Sequence, residues 1–203
     1  MKKSIFTHFI FVLIPFICFS QTIKDIDYIS PFHEGLAAIK KNNTWGFINT
    51  EGAVVINFRN DLVVTDFKDG NYPAFKNNKC LISEEKEGVT YFGYIDTSGK
   101  TVIEPQFLNA RNFKGNIALV ILVVKDTIGH NDILDKTVIS HNYFEVTIDN
   151  KGKTKHYLTQ KPKHITLSKD FIKNPPKFTT QLLSDNLFAV WTEDKKWEIK
   201  TFY

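Results

Sequence analysis

The sequence predicts an all-β protein in which antiparallel hairpins or three-stranded meanders repeat and stack into a short solenoid-like or propeller-like array. Three observations carry that expectation. First, Asn49-Thr50-Glu51-Gly52, Asp96-Thr97-Ser98-Gly99 and Asp149-Asn150-Lys151-Gly152 share one form: Asn or Asp, two polar residues, Gly. An Asx side chain at the first position bonds forward to the backbone and Gly at the fourth supplies positive φ, which makes a hairpin turn ending in a bulge. Second, each tetrad follows an apolar alternation, Trp45-Gly46-Phe47-Ile48, Phe92-Gly93-Tyr94-Ile95 and Phe144 to Ile148, and the first two precede another, Val54-Val55-Ile56 and Thr101-Val102-Ile103. Third, the spacing is nearly constant: 47 positions from Ile48 to Ile95, 53 to Ile148, 51 to Ile199.

From the amino end, Met1-Lys2-Lys3, an apolar run over residues 5–19 and the Ser20-Gln21 junction have the outline of a secretory signal peptide (residues 1–20), too short for a comfortable membrane span. Cys18 is preceded by Ile17 where lipid attachment would want a small residue, so cleavage near Ser20-Gln21 is expected instead. The remainder, 21–203, reads as one β-rich domain with units at about 27–60, 61–110 and 111–160 and a degenerate unit at 178–203. Each unit opens on a second mark: Phe32-His33-Glu34-Gly35, Phe67-Lys68-Asp69-Gly70, Phe113-Lys114-Gly115-Asn116 and Leu183-Ser184-Asp185-Asn186. Large apolar anchors followed by residues tolerant of left-handed backbone predict one tight turn used four times, at Gly35, Gly70 and their counterparts.

Strand candidates follow these marks at residues 36–40, 72–76, 117–124 and 187–191. The second unit is elongated by residues 80–90, a hairpin whose tip carries Glu84, Glu85 and Glu87. Residues 117–124, IALVILVV, are the most apolar run after the leader and predict a central strand buried on both faces. Residues 126–136 read as a polar loop, residues 160–180 as an irregular connection with one helical turn at most over 168–173, and residues 178–203 as closing strands.

On these residues the chain resembles the WG-repeat (KWG) family of bacterial proteins. The likeness rests on Phe32, Glu34-Gly35-Leu36-Ala37, Trp45-Gly46-Phe47-Ile48 and Gly52, and on Phe67, Asp69-Gly70, Phe92-Gly93-Tyr94-Ile95-Asp96, Gly99-Lys100 and Val102 to Pro105. It covers about residues 27–120 and then fades, with Glu145-Val146 and Trp197-Glu198 where Trp-Gly should stand. The resemblance implies a β-rich interaction scaffold and brings no catalytic residues.

Composition narrows function by exclusion. Without Lys2 and Lys3, 24 basic residues face 22 acidic ones, interspersed, so no nucleic-acid partner is expected. Cys80 alone follows the leader, beside Leu81-Ile82, and reads as a buried structural thiol. The histidines His33, His130, His141, His156 and His164 form no metal-ligating spacing; His130 with Asp132 comes nearest. No catalytic, cofactor-binding or metal residues are expected. Trp45, recurring as Phe92 and roughly as Trp197, is expected to fill seams between units, with Gly46 and Gly93 admitting a neighbouring ring. The function expected is an exported, monomeric, non-enzymatic scaffold for an unknown protein or envelope component, offering loops 80–90 and 126–136, with no membrane span after the leader. A glycan or small-ligand module using exposed Tyr72, Tyr91 or Tyr143 is the alternative, and a hydrolase with dispersed carboxylates a third.

Overall fold

A computed structural model describes residues 23–184 and 186–202; the expected leader, with Cys18 and the Ser20-Gln21 junction, lies outside the described residues, as does Asp185. The described chain is all β. The first sheet contains β1 (Tyr28–His33), β2 (Leu36–Lys41), β3 (Thr44–Asn49) and β4 (Val54–Arg59) in chain order. A small hairpin, β5 (Thr65–Phe67) and β6 (Gly70–Tyr72), precedes a seven-stranded sheet. That sheet runs through β7 (Lys79–Lys86), β8 (Val89–Asp96), β9 (Thr101–Ala110), β10 (Ala118–Asn131), β11 (Lys136–Ile148) and β12 (Thr154–Tyr157), with β13 (Lys163–Ile165) paired to β11. A three-stranded meander closes the chain: β14 (Thr180–Ser184), β15 (Leu187–Trp191) and β16 (Trp197–Thr201).

The three Asx tetrads fold alike. Gly52, Gly99 and Gly152 sit at φ +80°, +84° and +81°. Their N–H groups donate to the carbonyls of Asn49, Asp96 and Asp149 at 2.9–3.0 Å. The first side chain of each tetrad accepts from two N–H groups further on, those of Glu51 and Ala53, of Ser98 and Lys100, and of Lys151 and Lys153. One position before each turn the following strand gains one residue: Phe47↔Ile56 gives way to Ile48↔Val54, Tyr94↔Ile103 to Ile95↔Thr101, and Thr147↔His156 to Ile148↔Thr154. The repeat is thus a repeated bulge, which twists each meander the same way.

Pairing within the meanders also shares one register. Ile39 faces Gly46, Ile82 faces Gly93, Val120 faces Val146 and Val190 faces Glu198. All four aliphatic partners are buried. The degenerate last unit therefore keeps the pairing of the first although its Trp197-Glu198 lacks the glycine.

Successive meanders are joined by the strand after each Asx turn. β9 pairs with β8 at one end and with β10 at the other (Phe92↔Phe107, Val120↔Ala110). The chain beyond β4 does the same, with Val63 N–H bonded to Leu81 C=O and Ser83 N–H to Asp61 C=O. At the third junction this strand is broken. β12 pairs with β11, β14 with β15, and residues 158–179 loop out between them.

Three expectations change. Residues 126–136 are not a polar loop: the β10–β11 ladder continues through Asp126↔Ser140 to Asn131↔Lys136, because β-branched Thr127, Ile128, Thr137, Val138 and Ile139 sustain it. Only residues 132–135 turn, with Asp135 at φ +49°. The strand expected at 72–76 stops at Tyr72, where Pro73 cannot donate to a ladder. The connection over 160–180 contains β13 and a single turn at Ser168, whose carbonyl accepts from Phe171 and Ile172. The residue run 117–124 meets its expectation in part: from Ala118 it opens β10 in the middle of the large sheet, buried through Leu119, Val120 and Ile121 against three apolar clusters, and only half-buried over Leu122, Val123 and Val124.

Candidate functional site

The repeat positions go into the seams. Trp45 and Phe47 point from the first meander into a cluster with Leu62, Tyr72, Phe75, Cys80, Ile82 and Ile95 of the next. Phe92 and Tyr94 repeat this one unit on, against Phe113, Ala118, Val120 and Val146. Trp45 is 8% exposed, held edge-on to Tyr28 at 5.8 Å with Lys40 Nζ 5.7 Å over its face. Two of the turn glycines meet an aliphatic side chain of the preceding unit: a Cβ on Gly99 would lie 3.4 Å from Ile56, and one on Gly152 3.1 Å from Ile103. Gly52 and Gly35 (φ +78°) have open space there. Gly70 leaves room for the Tyr28 hydroxyl, 2.5 Å from where a Cβ would stand.

Gly46 and Gly93 have a different reason from the one expected. The atoms nearest to a Cβ there are backbone of the bulged partner strand: a Cβ on Gly46 would stand 2.8 Å from the Ile56 carbonyl oxygen, and one on Gly93 would strike the Ile103 carbonyl and the Pro105 nitrogen. Pro105, which has no N–H to pair, occupies that bulge at no cost to the ladder.

At the seam of units one and two, the first mark brings polar groups together. Tyr72 Oη donates to Asp69 Oδ1 at 2.9 Å and lies 3.0 Å from His33 Nε2. Lys76 Nζ is 3.2 Å from His33 Nδ1. Burial and then the Lys76 charge hold His33 below its ordinary pKa. Burial, aided by Asp69, pushes Tyr72 up to about 12. These groups satisfy one another around a fully buried tyrosine, and Glu34 Oε1 and Oε2 cap the Asn77 and Asn78 N–H groups at 2.7 Å each. Cys80 is buried, and desolvation raises its thiol pKa far from the reactive range.

The third seam breaks the pattern. Its Trp-slot residue is Glu145, fully buried, and the residue two on is Thr147. Glu145 Oε1 accepts from the Thr179 N–H at 2.8 Å and from the Thr179 hydroxyl, with Lys163 Nζ 4.0 Å away. Glu145 Oε2, Thr147 Oγ1 and Thr180 Oγ1 are buried without a hydrogen-bond partner among the described residues. Thr159, Lys163 and Thr179, which surround Glu145, also line a cleft of about 290 Å³, with Trp191 as its aromatic wall and Lys161 and Lys200 on its rim.

The aromatic residues expected to be exposed are not. Tyr72 has no accessible surface, and Tyr91 and Tyr143 are half-buried against β10 and β13 neighbours. The exposed pair is Trp191 and Trp197, opposite each other on β15 and β16 with ring centroids 5.0 Å apart. The signal was in the sequence: both stand on the strand candidates of the degenerate last unit, away from the Trp-Gly pattern of the first two. The two loops named for display also differ. The 80–90 hairpin turns on Glu87 and Gly88 against Lys169, whereas the β10–β11 hairpin exposes Ile128 and Val138. His130 Nε2 reaches Asp135 at 3.2 Å and Asp132 at 3.9 Å, and among the described residues no three His, Cys, Asp or Glu side chains are placed to hold a metal. None of the described segments is a helix long and apolar enough to cross a membrane.

A family model described as the WG containing repeat matches residues 24–45, 45–80 and 92–122. No curated protein and no solved structure gives a significant match.

Proposed function

The chain carries WG containing repeats over residues 24–45, 45–80 and 92–122, and from that premise we propose that it is an exported, non-enzymatic scaffold that presents surfaces to a protein or envelope partner. The observation that carries this reading is the division of labour among its side chains. Repeat residues such as Trp45, Phe47 and Tyr94 are spent on seams, while more than half of the exposed large apolar side chains among the described residues stand on the β10–β11 hairpin and the last meander. Apolar surface that a fold leaves outside is a common mark of an interaction site.

The test uses a variant in which residues 128–138 are replaced by Asn-Gly, closing the hairpin between Thr127 and Ile139, which already face each other. Immobilised wild-type chain should retain a saturable partner from envelope extract that the shortened chain releases. Equal retention by both, or no saturable partner for either, removes the reading.

A glycan-binding reading is favoured by one feature, the cleft walled by Trp191 and rimmed by lysine, threonine and acidic side chains. Trp191 stands in place of Tyr72, Tyr91 and Tyr143, which are buried or half-buried. Glycan-array binding lost in Trp191→Ala would support it, and binding indifferent to that change would count against it.

A further inference from the structure

We propose that two copies of this chain associate through β16, pairing antiparallel about a two-fold axis at Ile199. The place is set by the repeat. In units one and two the outer edge of the strand that carries the Trp slot, β3 or β8, is filled by an antiparallel strand, β4 or β9. β16 is the equivalent strand of the last unit, and among the described residues no strand pairs with its outer edge. It contains no proline and no bulge in its pairing with β15. An open edge of that kind is a template for another chain.

Backbone direction selects the residues. Thr192 N–H donates to Lys196 C=O, and Phe202 N–H donates to Asn186 C=O. Even-numbered positions of this strand thus turn their polar groups toward β15, and Trp197, Ile199 and Thr201 turn theirs toward the open edge. An antiparallel partner must pair at those odd positions.

Side chains then select the occupant. β16 reads Trp-Glu-Ile-Lys-Thr, which is complementary to itself when reversed. With Ile199 opposite Ile199 of the second copy, each Glu198 faces a Lys200 and each Trp197 faces a Thr201. Shifting the axis to Glu198 or to Lys200 sets like charges opposite each other, which disfavours those registers. The other face gains as well. Trp191, Trp197 and Ile199 stand on one side of the meander, 40%, 49% and 69% exposed. The counterparts of Trp197 and Ile199 in unit one, Trp45 and Phe47, are covered by unit two. Pairing at β16 brings two such apolar faces edge to edge. One five-residue strand is a small interface, so association in the micromolar range is expected, in place of the monomer that the sequence alone suggested.

Sedimentation velocity of the purified chain from about 1 to about 200 μM spans the range in which small interfaces associate. A concentration-dependent dimer is the expected result. Glu198→Lys and Lys200→Glu should each weaken it about tenfold, because each creates two like-charge pairs per dimer. The double variant Glu198→Lys/Lys200→Glu should restore it, and the two single variants mixed in equal amounts should pair with each other. Ile199→Pro removes an N–H that points away from β15, so it should abolish the dimer while leaving the circular dichroism of the monomer intact. A monomer at every concentration overturns the proposal. So does a dimer indifferent to the single charge changes or to Ile199→Pro.

Discussion

Two kinds of repeat glycine impose different constraints at the residue scale. Gly93 faces a bulge two residues deep and built around Pro105, so its hydrogen atoms touch backbone that cannot retreat. Gly52 has only its φ of +80° to defend, with nothing within 4 Å. Gly93→Ala should therefore cost about 3 kcal/mol or more through forced backbone displacement, and Gly52→Ala about 1 kcal/mol through left-handed strain. Gly99→Val combines that strain with contact on Ile56 and should exceed about 1 kcal/mol. Chemical denaturation of the three variants checks the order; a Gly93→Ala chain no weaker than Gly52→Ala would contradict the bulge account. The turn glycines were legible because Asx-x-x-Gly states its own geometry. The need for Gly46 and Gly93 was not, since it depends on which atoms of the next strand arrive opposite them.

Turns and strands have their own pH dependence. Hydrogen bonding from Ser98 first, and from backbone N–H groups, holds Asp96 below the usual carboxylate range. At Asp149 desolvation opposes, but the N–H groups of Lys153 and Lys151 outweigh it. These carboxylates stabilise the fold above their unfolded pKa and lose that contribution as acid protonates them. The histidines act sooner. His33, at the end of β1, is lowered by burial and by Lys76, against weaker opposing pulls from Asp69 and Glu34; His156 on β12 is lowered by burial and by Lys155. A depressed folded pKa means the unfolded chain takes the proton first, so stability is full above about 6.5 and falls as pH drops through the folded values. Melting temperature should decline on acidification below about 6.5, and His33→Gln should make the decline shallower. An unchanged slope in that variant would contradict the assignment. Element lengths were the least legible feature: the ladder through Asp126–Asn131 rests on cross-strand pairing that polar one-letter codes conceal.

The whole molecule is a stack whose seams are unequal. The first two are aromatic and aliphatic, while the third holds Glu145, Thr147, Thr180 and a broken linking strand. Buried oxygens without partners weaken a seam, so the last meander should open before the rest. Tryptophan fluorescence reads this directly, because Trp45 lies in unit one and Trp191 and Trp197 in the last. In urea, a Trp45→Phe chain should report an earlier midpoint than a Trp191→Phe/Trp197→Phe chain, and coincident midpoints would show one cooperative block. The stacking itself was legible from period and composition. The weakness of the third seam was foreshadowed only by Glu145-Val146 replacing Trp-Gly, a substitution whose consequence depends on the Thr179 N–H and hydroxyl reaching it from 34 residues away.

The claim on which all this depends is that neighbouring units complete each other's core. Phe113 belongs to the opening turn of unit three, yet it is buried against Tyr94 of unit two at 4.9 Å between ring centroids. Native-state hydrogen exchange on Phe113→Ala tests it most directly: amide protection should fall in β8 by about as much as in β10. Loss of protection confined to β10 would show that the units stand alone.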